Sequence, residues 1–187
     1  MITCRLLPNS ELRKYEYFLK ARSLDSRSLY FGCGVADEGI TDLVNGIIEH
    51  SDRHYVLAAE DEDLEIVGTI HIAFINDHTV ELGVMVAESY RGKGIASKMM
   101  DYAMTWCQNR RLQDVYMHCL SYNAPIIHLV KKYGLEISRD HSEADARVTL
   151  PPGNVLTVSQ EVLLNQQYIF QRNYNQNIRS FKRILAY

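Results

Sequence analysis

Cysteine is sparse in this 187-residue chain: Cys4, Cys33, Cys107 and Cys119, with no CxxC pair among them. Such wide spacing argues against a zinc ribbon and against a disulfide framework, and leaves core thiols as the expectation. Proline is equally scarce. Residues 8, 125, 151 and 152 hold all four prolines, each at an expected element boundary or in a helix's first turn. No apolar run approaches the roughly 18 residues of a spanning helix, so no membrane partner is expected. The first residues, MITCRLLPNSELRKYEYF, lack the basic start and long apolar stretch of a signal peptide, which makes the cytoplasm the expected compartment. Positive charge is not in excess either. A net charge of -3 sets up no field toward nucleic acid. What remains, 47% hydrophobic and 23% charged, is the composition of a soluble domain long enough to bury a core.

Hydrophobic periodicity divides the chain. Residues 2–7 predict a strand, broken at Pro8-Asn9; Ser10 then caps a helix carrying Leu12, Tyr15 and Leu19 on one face. Residues 22–40 show no clear period, and a second helix is expected from Thr41. Strands at 54–60, 66–75 and 79–86 form an antiparallel meander, with an acidic turn at 61–65. A helix over 94–110, a buried strand at 115–119, a helix from Asn123 to Lys132 ended by Tyr133-Gly134, and strands at 135–139 and 146–150 follow. Pro151-Pro152-Gly153 closes a domain of residues 1–150. The extension, 151–187, carries Arg172, Arg179, Lys182 and Arg183 against Glu161 alone, +3, which leaves -6 for the rest. Phe170, Tyr174, Ile178, Phe181 and Leu185 share one face of a predicted helix. Packing on the body or on a second subunit is the plain expectation for it.

The most informative stretch is Arg91-Gly92-Lys93-Gly94-Ile95-Ala96, between a strand and a helix. A helix's first N–H groups have no internal partner and sit at the positive end of its dipole. Glycines let an anion approach them, so the stretch reads as a phosphate cradle, with Arg91 and Lys93 adding charge. It is not a Walker A loop, because Gly94 rather than Ser or Thr follows Lys93. It is not a dinucleotide fingerprint, because Ser97 stands where the third glycine is needed. A tight turn with solvated charges fits the four residues equally well.

The pattern Arg-x-x-Gly-x-Ala at 91–96 resembles the acyl-CoA-binding signature, (Gln/Arg)-x-x-Gly-x-(Gly/Ala), of the GNAT superfamily of N-acetyltransferases. The segment NAPIIHLVKKYGLE, 123–136, is similar to that family's second signature, with Leu135 where phenylalanine is usual. Residues 23–35, SLDSRSLYFGCGV, resemble more loosely a segment on the substrate side of bacterial members. The order of elements from 2 to 150 matches the family throughout. The resemblance implies an α/β fold with a mixed, mostly antiparallel central sheet flanked by helices. It implies acetyl-CoA as cosubstrate and no metal. The strand at 82–86 would splay from 115–119, with the pantetheine arm in the gap. Backbone at Val84, Met85 and Val86, amides of 91–96 and Asn123 would lie on the cofactor side.

Acetyl transfer to an amine requires loss of an amine proton, a donor for the oxyanion, and a fate for the leaving thiolate. Glu81, on the strand leading to the gap, is the candidate base; His118 is the next, then His71. His50 and His54 are four apart, but 54 starts a strand, so a metal pair is not expected. The resemblance places Val130 where the family has a tyrosine acid. Tyr133 is three residues on, about 300° around the helix, and does not substitute. Water, Tyr122, Ser121 or no acid are the alternatives. The expected activity is transfer to a primary amine of a small molecule or protein. The rivals are a longer acyl group and a non-catalytic acetyl-CoA sensor acting through a basic C-terminal helix. The amphipathic extension also points to a homodimer.

Overall fold

The computed structural model describes residues 2–185, with side chains described for 2–179. One seven-stranded sheet organises them. Its strands are β1 (Thr3–Leu6), β2 (His54–Glu60), β3 (Ile66–Phe74), β4 (Thr79–Val86), β5 (Asp114–Leu120), β6 (Glu136–Asp140) and β7 (Glu143–Thr149). The spatial order is β1-β2-β3-β4-β5-β7-β6. Every neighbouring pair is antiparallel except β4 and β5. The helices are α1 (Leu12–Lys20), α2 (Leu24–Phe31), α3 (Asp37–Glu49), α4 (Ile95–Asn109), α5 (Ala124–Lys132) and α6 (Val155–Leu185).

Two cores flank the sheet. On one face Leu57, Ile70, Ile72, Val80 and Leu82 pack against Met99, Ala103 and Trp106 of α4. On the other, Val56, Ala58 and Met85 pack against Tyr15 and Leu19 of α1 and Ile40, Val44 and Ile47 of α3. This two-sided cover explains the unbroken apolar run Val56-Leu57-Ala58-Ala59 in β2, since successive side chains enter opposite cores. Three cysteines are buried core thiols, as expected; Cys33 is exposed instead.

The strands expected at 54–60 and 79–86 form over those residues, and α4, β5 and α5 within a residue. Four local expectations change. Ser10 does not cap α1: it lies inside a short 3-10 turn, Asn9–Glu11. Residues 22–40 are not irregular. The Ser23 hydroxyl accepts the Ser26 amide at 3.2 Å and starts α2, which ends at Gly32 with φ +74°. Helix α3 begins at Asp37, four residues before Thr41. Helix α2 lacks a regular apolar stripe because polar tethers hold it. Strand β7 likewise starts at Glu143, paired with Leu120, rather than at 146.

The extension forms one 31-residue helix. It packs on α4 and β1, with the opposite face inward from that expected. Asn175 is buried, and Thr157, Glu161, Leu164, Tyr168 and Arg172 are half-buried. Phe170, Tyr174 and Ile178 are exposed. The side chains of Phe181, Lys182, Arg183 and Leu185 lie outside the described residues. Among the described residues no helix is long and apolar enough to cross a membrane.

One buried ion pair joins the edge strand β1 to its neighbour β2. Arg5 donates from Nε and Nη2 to Glu60 Oε1 at 2.9 and 2.6 Å, and from Nη2 to Glu11 at 2.6 Å. The Arg5 and Glu60 side chains are 6% and 1% exposed. Removing Arg5 alone would strand a carboxylate away from water. Arg5→Ala is therefore expected to cost about 3 kcal/mol, read as a lower urea midpoint at constant slope. Arg5→Met with Glu60→Leu removes both charges and should recover most of it. Acid provides a second check. Burial pushes Glu11 up, but hydrogen bonds from Lys14 and Arg5 outweigh it and hold the group at about 2. Hydrogen bonds from Lys20 and Arg13 hold Glu16 at about 2 as well. Both lie below their unfolded value of about 4.3, so their stabilisation is complete above about pH 4.5 and is lost as pH falls toward 2.

Candidate active site

The parallel strands β4 and β5 pair only at Thr79–Asp114, Val80–Val115 and Glu81–Tyr116. Beyond these residues β4 stays with β3 and β5 with β7, so the two strands part like a V. Peptide groups of Leu82–Val86 facing the gap have no strand to bond. A groove of about 530 Å³ runs through the opening. Its walls are β4 from Leu82 to Val86, β5 from Met117 to Cys119, and the starts of α4 and α5.

The groove ends at the glycine stretch. Gly92 and Gly94 have φ +74° and +75°, and no side chain caps α4 at Gly94. Positive φ is accessible to glycine without steric cost, and here it turns the chain into the helix with its first amides free of a side-chain cap. Ala96 and Ser97 also line the groove, and Lys132 Nζ donates to Ser97 Oγ at 2.9 Å, placing a cation beside them. Such a terminus suits the pyrophosphate of an acyl-CoA, and the parted strands suit an extended arm with amide groups.

Most of the expected residues meet here. Val84, Met85, Val86, Arg91, Gly92, Gly94, Ile95, Ala96, Asn123 and His118 line the groove. Lys93 does not: its ammonium lies over the Tyr90 ring, 4.7 Å from the centroid. Arg91 is turned toward α2 and donates to Ser26 Oγ at 2.8 Å. Asn123, buried at the start of α5, reaches the Leu29 carbonyl at 3.5 Å. Glu81 sits at the closed end of the V, beside Tyr116 in register, rather than along the groove wall. His118 shares Asp145 with Tyr116: its Nδ1 is 2.8 Å from Asp145 Oδ1, and the Tyr116 hydroxyl donates to the same oxygen. These hydrogen bonds, Tyr116 first, hold the Asp145 carboxyl below its usual range.

His71 does not line the groove. Burial, then His54, pushes it down to about 4, which makes it a weak proton acceptor, and its Nε2 faces His54 Nδ1 at 3.0 Å. Val130 is fully buried in the α4-side core. The Tyr133 hydroxyl lies 2.7 Å from Ser97 O and 2.6 Å from Asp101 Oδ1, tying α5 to α4. Ser121 Oγ donates to His141 O at 3.1 Å; Tyr122, 67% exposed, lines the groove. Among the described residues no group of three or more His, Cys, Asp or Glu side chains is arranged to hold a metal ion.

Sequence reasoning missed Tyr30 and Ser26, both on α2 and both lining the groove. The loose likeness at 23–35 was the available signal. Glu88 fastens this helix to the cradle, accepting from Ser26 Oγ at 2.6 Å, Ser23 Oγ at 3.0 Å, Ser23 N at 3.1 Å and Arg22 at 2.8 Å. Burial raises Glu88, yet bonds from Ser26, Ser23 and backbone outweigh it and leave the group at about 2.

A profile of the acetyltransferase (GNAT) family matches residues 18–135, more than half of the chain. The chain belongs to this family. A streptothricin acetyltransferase from Escherichia coli is 29% identical over 76 residues, 40% of this chain and 44% of that enzyme; the match thus spans less than half of the relative's length. Solved structures share the fold. The GNAT domain of S. lividans PAT superposes with a TM-score of 0.68 at 16% identity, over 79% of this chain and 89% of that one. Spermidine N-acetyltransferase from Vibrio cholerae, in complex with CoA and spermine, gives 0.64 at 19% identity, over 79% and 95%. A GNAT-family acetyltransferase from Staphylococcus aureus gives 0.66 at 15% identity, over 81% and 100%.

The cradle yields a direct test. Gly94→Trp should abolish acetyl-CoA binding in calorimetry while the circular dichroism spectrum stays native. Retained affinity would mean that the glycine stretch is an ordinary turn.

Proposed function

We propose that this protein is an N-acetyltransferase, moving an acetyl group from acetyl-CoA to a primary amine by direct attack. The observation that carries the reading is the V between β4 and β5, open from Leu82 onward and ending at an uncapped, glycine-flanked helix start. Acetyl-CoA supplies an activated thioester. The chain supplies backbone groups of Val84–Val86 along the arm, amides of the 91–96 stretch at the pyrophosphate, and the walls of Asn123 and Ile95.

Glu81 is the base in this reading, acting directly or through one water at the closed end of the V. His118, held by Asp145, lies at the groove and is the second candidate. The acceptor is an amine of a small molecule or of a protein. The streptothricin and spermidine acetyltransferases named above take amine-bearing compounds, which supports that class. Residues 1–150 form the catalytic unit and 151–187 an extension, and the protein works in the cytoplasm without a metal. The sensor alternative gains little: in the described part of the extension, Arg172 approaches Glu11 at 4.0 Å and Arg179 bonds Asp63 O, so both turn to the body.

The extension carries the homodimer. From Val155 to Ile178 the only charged residues are Glu161 and Arg172. Glu161 is taken up by Asn109 at 2.6 Å and Arg110 at 3.0 Å. The outer face, including Leu156, Leu163, Phe170 and Tyr174, is exposed and uncharged over about 36 Å of helix. A two-fold axis sets such a face against itself with no charge to neutralise.

Calorimetry should give micromolar acetyl-CoA binding, about -8 kcal/mol. An amine screen should find turnover that Glu81→Gln reduces by about 100-fold or more, with acetyl-CoA affinity unchanged. No binding of any CoA compound would refute the proposal. Sedimentation at micromolar concentration should show a dimer, and Leu163→Glu with Phe170→Glu a folded monomer; a monomeric wild type would remove the dimer.

A further inference from the structure

Tyr30 of α2 reaches into the V from the face opposite α4. A Cβ placed on Gly83 would lie 2.6 Å from the Tyr30 hydroxyl, so the absence of a side chain at Gly83 lets the phenol approach the β4 backbone. Its hydroxyl is 3.1 Å from that of Tyr15, which is fully buried. Two hydroxyls that share one hydrogen bond keep one proton spare. Among the described residues, Tyr15 has no other hydrogen-bond partner for its hydroxyl. A buried donor left unmade is costly, so Tyr15 donates and Tyr30 accepts. The spare proton is then on Tyr30, which lines the groove.

Of the other polar side chains that line the groove, Tyr122 is 67% exposed, and those beside Tyr30 are engaged. Ser26 donates to Glu88, Tyr90 to Asp61 at 2.7 Å, and His118 is held by Asp145. The sheltered end of the V thus holds one phenol with an uncommitted O–H.

We propose that the Tyr30 hydroxyl, oriented by Tyr15, is the hydrogen-bond donor to the leaving sulfur in this acyl transfer. The assignment rests on the acyl-CoA reading above. As the amine nitrogen bonds to the acetyl carbon and the carbon–sulfur bond breaks, the electron pair goes to sulfur, and Tyr30 stabilises that charge. The amine's proton leaves by way of the base. Tyr30 keeps its own proton: burial, only partly offset by the bond from Tyr15, pushes the phenol up to about 12, well above a thiol of about 8.5. It is a donor rather than an acid, and Tyr15 is a positioning residue.

The test has two readouts. The first is the titration of CoA bound to the protein, followed by thiolate absorbance. A hydrogen bond to the charged form lowers a pKa, so the bound thiol should titrate about one unit lower in the wild type than in Tyr30→Phe. The second is turnover: Tyr30→Phe should lower kcat about 10- to 100-fold with KM for acetyl-CoA within about twofold. Tyr15→Phe should show a smaller loss in both. If Tyr30→Phe is poorly folded, 3-fluorotyrosine at position 30 keeps the packing and strengthens the donor; it should lower the bound thiol's pKa further. Wild-type binding and turnover with a thiol pKa and kcat indifferent to both changes at Tyr30 would overturn the donor role alone. A wild type that binds no CoA would overturn the acyl-transfer reading and this role with it.

Discussion

The arrangement depends on two parallel strands ceasing to pair. β4 and β5 share three register positions and then diverge, because each is committed along its length to a different antiparallel partner. Backbone groups in such a gap need partners as much as those in a sheet do. An extended chain with its own amides is the natural occupant. The glycine stretch and the start of α4 lie where the anionic end of that chain would arrive. Neither element alone suits an acyl-CoA; the proposed reading rests on their meeting in one groove.

Helix α2 completes the site from the other face. Its eight residues include no continuous apolar stripe, and only Ser26 and Arg27 are buried. Polar tethers hold it instead: Glu88 and Arg91 at one end, and Asn123 through the Leu29 carbonyl at the other. The glycine stretch, α5 and the β4 wall of the groove are joined through this short helix. Glu88 therefore serves the architecture although it follows the sheet by only two residues. Tyr30 reaches Gly83 because these bonds fix α2 over the V.

Helix α6 uses its faces in an unusual way. Its inward surface is mostly polar and complements Asn109, Arg110 and Tyr102 on α4. Its outward surface carries exposed Leu156, Leu163, Phe170 and Tyr174 among uncharged polar residues, and is without charge from Val155 to Ile178. A helix face of that kind, with its charges spent on the body, is suited to contact with another such face.

Strand alternation and helix stripes made β2 through α5 legible within a residue or two, because their apolar positions enter two cores on a regular period. The cradle was legible too, since glycines at 92 and 94 and the helix that follows are contiguous in sequence. Residues 22–40 were not, because α2 is held by side chains from positions 88, 91 and 123 rather than by its own periodicity. The inward face of α6 was misread for a related reason: apolar residues suggested burial, whereas hydrogen bonds to α4 decided the packing. Of the candidate bases, spacing could nominate His71, but only the tertiary structure shows it buried beside His54 and Tyr15 and away from the groove lining. The sequence by itself determined the family, the elements from β2 to α5 and the glycine turn before α4, all written in local patterns. Tertiary structure alone decided where β4 leaves β5, that Lys93 turns away, and that Tyr30 stands over Gly83. Those depend on contacts between residues far apart in the chain, which no local period encodes.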